Sequence, residues 1–293
     1  MSDRVVLVTG GARGIGLGIV EVFANAGCKV MIADLGGGTA DSSASTSSNS
    51  DAENWNYNLA NKHDLDQAQN KAGQLGEVAS CEVDVTDSDS CVRAVAATIE
   101  RFGQLDVLIN NAGIVQSGPL LEFSEDDWDK VFAVNTKGIF LMTRAALPSL
   151  LESKDAAVVN TASIAGKKGY ADMSAYCGSK FAAIGITQSL ATEFAPSGIR
   201  VNAICPGIVG TAMWLEHLMP SNTTDIDEKN RDFEDAMAER IPMGRPQSVE
   251  DMGQAALYLA TAKNVTGVAL SVAGGIETVS YTHLRAPETD SYL

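Results

Sequence analysis

Tyr176 and Lys180 stand four residues apart in the stretch Tyr176-Cys177-Gly178-Ser179-Lys180, with Ser163 upstream of both. On a helix this spacing puts a phenol and an ammonium on one face, a turn apart. A phenol titrating at about pH 10 is a poor base at neutral pH, but a neighbouring cation favours its ionised form. The pair can then pass a proton to and from an alcohol oxygen, which Ser163 can hold by a hydrogen bond as charge develops. Taken singly, the three are a half-buried aromatic, a surface charge and a strand-end hydroxyl; it is their combination with a second signal that carries weight. That signal is Thr9-Gly10-Gly11-Ala12-Arg13-Gly14-Ile15-Gly16, directly after an apolar run.

A glycine-rich turn between strand and helix lets a pyrophosphate approach the backbone and places it at a helix N-terminus. Gly10 or Gly11 serves the turn, Gly14 removes a side chain near the phosphates, and Gly16 is expected to let the first helix pack closely on the sheet. Asp34, at the end of the second apolar run, is positioned to accept hydrogen bonds from the adenosine ribose hydroxyls. Its charge opposes the extra phosphate of NADP, which favours NAD as cofactor. Three readings of Arg13 stay open: a phosphate ligand, a solvated loop residue, or a partner of Asp34.

These side chains need a scaffold, and the chain alternates short β-branched runs with longer helical patterns. Strands are expected at 5–8, 29–33, 78–83, 107–109, 157–160, 200–204 and 269–272. Helices are expected at 16–26, 88–102, 125–151, 175–194 and 248–260. Alternation of this kind implies an α/β fold with a parallel sheet covered by helices on both faces. Residues 36–61, rich in Gly, Ser, Asn and Asp, read as a flexible surface insertion, and a tolerated insertion is favoured over a functional lid. Within it Trp55 and Tyr57 either pin the loop to the protein or reach toward the adenosine end of the cofactor. Residues 207–242 combine Met213-Trp214-Leu215 with a polar stretch and read as a helical lid over the carboxyl ends of the strands, where ligands of such sheets bind.

The chain has 293 residues, 45% hydrophobic and 20% charged, a composition ordinary for one globular domain. A net charge of −16 argues against nucleic acid or an anionic membrane as partner. Cys28, Cys81, Cys91, Cys177 and Cys205 show no metal-binding spacing and are odd in number, so reduced thiols are expected. His63, His217 and His283 likewise lack ligand spacing, and no metal is expected. The first strand begins at once, leaving no room for a secretory leader, and no apolar stretch approaches the roughly 18 residues of a membrane span. A cytoplasmic protein is the expectation. The string from Val279 to Ser291 is similar to translated sequencing-adapter sequence, so the domain is expected to span 1–278 and residues 279–293 to be non-native.

Thr9 to Gly16, Asp84-Val85, Asn110-Asn111-Ala112-Gly113, Asn135, Ser163, Tyr176, Lys180 and Pro206-Gly207 together resemble the short-chain dehydrogenase/reductase family in order and approximate spacing. The resemblance covers roughly residues 4–277. It implies a single Rossmann domain with a seven-stranded sheet in order 3-2-1-4-5-6-7. It also implies a homotetramer, or a dimer, with 125–151 and 175–194 at the principal interface. Carried over by position, the cofactor contacts are Gly10, Arg13, Gly14, Ile15, Gly16, Asp34, Asp84, Val85, Asn111, Ala112, Gly113, Tyr176, Lys180, Pro206, Gly207, Val209 and Thr211, with Ile208 beside the nicotinamide. Asn110 is structural. Ser163, Tyr176 and Lys180 are catalytic, with Asn135 anchoring a water chain to the lysine.

The implied activity is hydride transfer between NAD and a small-molecule secondary alcohol or ketone. Ile164, Tyr170, Met213 and Trp214 are the candidate substrate residues, and Lys167 and Lys168 read as solvated rather than as a site for an acid. The stretch Cys205 to Trp214 resembles acetoin, butanediol and polyol dehydrogenases of the family. A 3-oxoacyl reductase using NADPH is the enzymatic alternative, opposed by Asp34 and by the acidic surface; a non-catalytic NAD-sensing protein is the alternative of another class. One departure is visible, Ala273 where many relatives have Asp.

Overall fold

The computed structural model describes residues 3–36, 59–219 and 225–277. Seven strands, β1 (Val5–Thr9), β2 (Lys29–Asp34), β3 (Val78–Glu82), β4 (Val107–Asn110), β5 (Ala157–Thr161), β6 (Arg200–Pro206) and β7 (Ala269–Val272), form one parallel sheet. Their order is β3-β2-β1-β4-β5-β6-β7, the order expected. Because successive strand residues face opposite sides, β1 feeds two cores at once. Val6 and Val8 pack with Ile19, Phe23, Met252 and Leu259 on one face. Leu7 packs with Leu108, Met142, Leu150 and Val158 on the other.

Helices α1 (Gly14–Asn25), α2 (Lys62–Ala72), α3 (Ser88–Phe102), α4 (Glu125–Phe132), α5 (Gly138–Glu152), α6 (Ser174–Phe194), α7 (Ile226–Ala238) and α8 (Val249–Thr261) complete the fold. Several strands run further than the sequence suggests. β1, β2, β4, β5 and β6 end on Thr9, Asp34, Asn110, Thr161 and Pro206, residues that read as loop but stay in register with a neighbour. These polar ends supply much of the site.

The helix expected over 125–151 is divided. A π-helical turn, Ala133–Lys137, separates α4 from α5, and it carries Asn135, which is buried and bonded to the backbone of Ile114. Such bulges arise where a side chain demands a geometry that the i→i+4 ladder does not offer. Helix α2 is an element that the sequence reading lacks. It starts at Asn61, whose side chain caps His63 and Asp64 while Asp64 answers to the Asn61 amide, and it buries Leu65, Ala68 and Ala72. The end of the expected 36–61 insertion is therefore a helix cap; residues 37–58, with Trp55 and Tyr57, lie outside the described residues, as do 278–293. Ser248, expected inside a helix, caps α8 with Asp251 as its partner.

The 207–242 segment forms a π-helical turn, Met213–Leu218, and α7, joined through Ile208, Trp214, Phe233, Met237 and Ile241 into an apolar cluster of its own. At the far end of the sheet, Arg4 and Arg200 bond Asp155 and the carbonyls of Leu259 and Ala260, closing the C-terminus of α8.

Helices α1 and α8 cross on glycines. A methyl on Gly18 would lie 2.6 Å from Val249 Cβ, and one on Gly253 would lie 2.5 Å from Val22 Cγ2. Overpacking of this kind costs about 1–3 kcal/mol. Gly253→Ala is therefore expected to lower the unfolding free energy by that much, read as a lower urea midpoint at unchanged m-value; an unchanged midpoint would show that the crossing has slack.

Candidate active site

The sheet order reverses between β1 and β4, and their carboxyl ends open a crevice there. Thr9 Oγ1 accepts from the amides of Asn111 (3.0 Å) and Ala112 (3.1 Å), while Asn111 Nδ2 donates to the carbonyls of Thr9 (3.2 Å) and Gly10 (3.0 Å). Gly10 and Gly14 have φ of +63° and +55°, values that favour glycine. Gly16 corrects the sequence expectation. Its absent side chain makes room for the glycine loop past the end of β1, since a Cβ would fall 1.9 Å from the Gly10 carbonyl oxygen, while Gly18 makes a separate close contact with α8.

Asp34 sits beside this loop with Oδ2 accepting from Ala12 N (2.9 Å) and Oδ1 from Leu35 N (2.8 Å). Burial pushes its carboxyl above the usual range, opposed by those two amides and by the charge of Arg13. Asp84 holds Thr86 through its carboxylate, and Asn110 is buried among Thr143 and Asn160, the structural place expected of it.

Ser163, two residues past β5, caps a short 3₁₀ turn, its hydroxyl accepting from Ala165 N at 3.1 Å. Tyr176 and Lys180 follow on α6. The Lys180 ammonium lies 5.7 Å from the Tyr176 ring centroid and donates to the Thr161 carbonyl at 2.9 Å. Burial lowers its pKa to about 8. Gly113 lets the two halves meet, because a Cβ there would lie 3.3 Å from both Lys180 Nζ and Asn135 Oδ1. Asn135 itself accepts from Ile114 N and donates to Ile114 O and Ser179 Oγ; Ser179 in turn donates to the Tyr176 carbonyl.

A cleft of about 660 Å³ runs through these groups. Its walls bring together Gly10, Arg13, Gly14, Ile15, Gly16, Asp34, Asp84, Val85, Asn111, Ala112, Gly113, Pro206, Gly207, Ile208, Val209 and Thr211 with Ser163, Tyr176 and Lys180. Ile164, Tyr170, Met213 and Trp214 line it too, whereas Asn135 stands behind the wall. Leu35, Ala60, Ile114, Met173, Leu218 and Ile276 are wall residues that sequence reasoning did not single out. Lys167 is exposed, as expected, and also bonds the Ala269 carbonyl and Ser271 Oγ and faces Glu277 at 3.8 Å.

The geometry fits a dinucleotide: a turn with glycines at positive φ, a loop in which a side chain at Gly16 would collide with backbone, and a carboxylate fixed at the next strand end. A sequence profile described as enoyl-(acyl carrier protein) reductase matches residues 38–277. L-2,3-butanediol dehydrogenase of Corynebacterium glutamicum is 36% identical over 280 residues, covering 94% of this chain and 98% of the relative. The chain belongs to the short-chain dehydrogenase/reductase family. Its members named as relatives include the 3-oxoacyl-[acyl-carrier-protein] reductase of Thermotoga maritima, 33% identical over 94% of this chain and 98% of that one. Among solved structures, carveol dehydrogenase from Mycobacterium avium in complex with NAD aligns over 95% of this chain and 99% of its own, with TM-score 0.82 and 26% identity. The family places the chain among oxidoreductases that take a nicotinamide cofactor.

No disulfide joins the five cysteines. Among the described residues no cluster of His, Cys, Asp and Glu is arranged to hold a metal, and no helix is long and apolar enough to cross a membrane.

A pKa of about 8 for Lys180, against about 10.4 for a free lysine, means that its buried charge opposes folding. The penalty is fully present below about pH 8 and is relieved as pH rises through that value toward about 10. Lys180→Met is therefore expected to melt at or above the parent temperature at pH 6.5, with the difference shrinking by pH 9.5. A lower melting temperature at pH 6.5 would show that the bond to Thr161 outweighs the cost of burying the charge.

Proposed function

We propose that this enzyme is an NAD-dependent dehydrogenase of secondary alcohols, running as a ketone reductase in reverse, with Tyr176 as acid and base. The observation that carries the reading is the convergence of Ser163, Tyr176 and Lys180 on the same cleft as the glycine loop. Asp34 and the Gly10–Gly16 turn would hold the adenosine and pyrophosphate, and Pro206 to Val209 with Thr211 the nicotinamide end. Bound there, the nicotinamide exchanges a hydride with the carbinol carbon. Tyr176 takes the hydroxyl proton of the alcohol, and returns it to the carbonyl oxygen in reduction. Lys180, one turn away, favours the phenolate by its charge. Ser163, with its oxygen already anchored by Ala165 N, directs its proton to the substrate oxygen. Asn135 holds the Ile114 backbone and, through Ser179, the start of the Tyr176 helix, and so positions the wall rather than touching the substrate.

NAD is favoured over NADP because Asp34, fixed by two amides, meets an added phosphate with like charge. That argument also opposes an NADPH-dependent acyl reductase, for which the net charge of −16 adds repulsion toward an acidic carrier. A cytoplasmic homotetramer fits the reduced cysteines and the large apolar side chains exposed on α5 and α6, Phe140, Leu151 and Phe181.

Two measurements test the assignment. Tyr176→Phe is expected to bind NADH as the parent does, read by fluorescence titration, while losing at least about a thousandfold in kcat. Parental turnover would remove Tyr176 from the chemistry, and NADH binding without turnover in the parent enzyme would favour the sensing protein. Asp34→Ala is expected to raise the ratio of NADP to NAD kcat/KM by at least about tenfold; an unchanged ratio would place selectivity elsewhere, with Arg13 the next residue to vary.

A further inference from the structure

We infer, on the foundation of the proposed alcohol dehydrogenase reading, that the substrate is bulky, neutral and monofunctional: a carbon-rich secondary alcohol or ketone whose reacting oxygen is its one buried polar group. Near Ser163 and Tyr176 the cleft is walled by Ile114 after β4, Ile164 and Met173 between β5 and α6, Trp214 and Leu218 in the π-helical turn, and Ile276 after β7. Four separate segments thus present carbon to one space, and Trp214 is itself backed by Phe233 at 6.3 Å between ring centroids. Such a wall is filled by hydrocarbon at a gain for each buried methylene.

Three hydroxyls, of Ser163, Tyr170 and Tyr176, accompany these apolar residues in the cleft wall, which Asn111, Thr161, Lys180 and Thr211 also line. Ser163 and Tyr176 serve the reacting oxygen. Tyr170 is burdened by the nearby Glu277 carboxylate, which with burial pushes its phenol pKa up. A carboxylate or phosphate on the substrate would meet that same negative charge.

The lysine best placed by sequence to receive an acid, Lys167, is committed elsewhere. Its ammonium is held by the Ala269 carbonyl, Ser271 and Glu277, and Ser271 also donates to Glu277. Lys130, the remaining lysine in the cleft wall beside Lys180, is exposed on α4, next to the Val131 that packs against Ile114. An additional hydroxyl placed against the Ile, Met and Leu side chains would lose its water partners without a replacement there. The inference departs from the butanediol and polyol resemblance of Cys205 to Trp214, since much of that stretch faces the cofactor end.

The test is the full chain with saturating NAD and four alcohols: trans-2-decalol, xylitol, 2,3-butanediol and 3-hydroxybutyrate. Decalol is expected to show kcat/KM at least about tenfold above each of the others. If any of the other three is the best substrate, the inference fails and the dehydrogenase reading stands. If none transfers hydride, nor the matching ketones with NADH, both fail.

A readout independent of turnover is calorimetric titration of 2-decalone into the enzyme with NAD, a pair that cannot react. Saturable binding with a negative heat-capacity change is expected for decalone and not for xylulose; the reverse ranking overturns the inference. Trp214→Gln should lower kcat/KM for decalol about tenfold more than for 2-butanol, with Trp214→Phe recovering most of the loss. Equal losses on the two alcohols would also overturn it.

Discussion

Thr9 and Asn111 stitch the carboxyl ends of β1 and β4 together, and the other parts of the site hang from that stitch. Parallel strands that diverge in order leave their last amides and carbonyls without ladder partners, and buried backbone groups must find others. Thr9 takes two amides and Asn111 takes two carbonyls, which fixes the glycine loop against the fourth strand. Asn111 Oδ1 then accepts from Thr161 Oγ1 at 3.3 Å, and the Thr161 carbonyl accepts from Lys180. A continuous run of hydrogen bonds therefore links the loop that would cradle phosphates to the lysine beside the phenol. On the proposed reading, cofactor placement and proton chemistry would then share one network rather than two independent sites.

A second polar run lies deeper. Asn110 donates to Thr143 on α5 and to Asn160 on β5, Asn160 donates to Thr187 on α6, and Thr187 donates back to the Ala183 carbonyl. Apolar packing alone would let α5 and α6 slide along the sheet at modest cost, since many registers bury similar area. A chain of buried amides and hydroxyls resists such sliding, because breaking it exposes each group to the cost of an unmade bond, although Asn110 Oδ1 is left without a partner even here. The register it selects is the one that puts Tyr176 and Lys180, on the same α6, over the end of β5.

Much of this was legible in the sequence because it depends on local pattern. The strands themselves, the glycine turn, Asp34 at a strand end and the Tyr-Lys spacing are each written within a few residues, whereas the strand order came only with the family resemblance. What could not be read depends on partners remote in sequence. Gly16 looked like a helix-packing residue until Gly10 folded back onto it, and Gly18 gave no sign of its role until Val249 arrived from the other end of the chain. The π-helical turn has no local signature, since Asn135 demands it through Ile114, more than one element away. Helix α2 was legible in principle from Asn61-x-x-Asp64 and the Leu65, Ala68, Ala72 stripe, but the polar insertion before it masked the boundary. Lys167 is exposed, as it looked, but its bond to Ala269 and its pairing with Glu277 come from over a hundred residues on.

The insulation of Lys180 gives the proposed mechanism its physical logic. Burial is the first influence on this ammonium, with Cys205 a lesser one, and its pKa falls to about 8 as a result. The folded enzyme thus carries a cation that would gain from a nearby anion, and a Tyr176 phenolate is the anion within reach on the same helix face. A surface lysine, already screened by water, would have little attraction to spare for a phenolate. The low dielectric that makes Lys180 costly to bury also makes its field strong at the tyrosine oxygen. On the proposed reading, the desolvation that makes Lys180 costly to bury is also what would let its charge act on the neighbouring phenol.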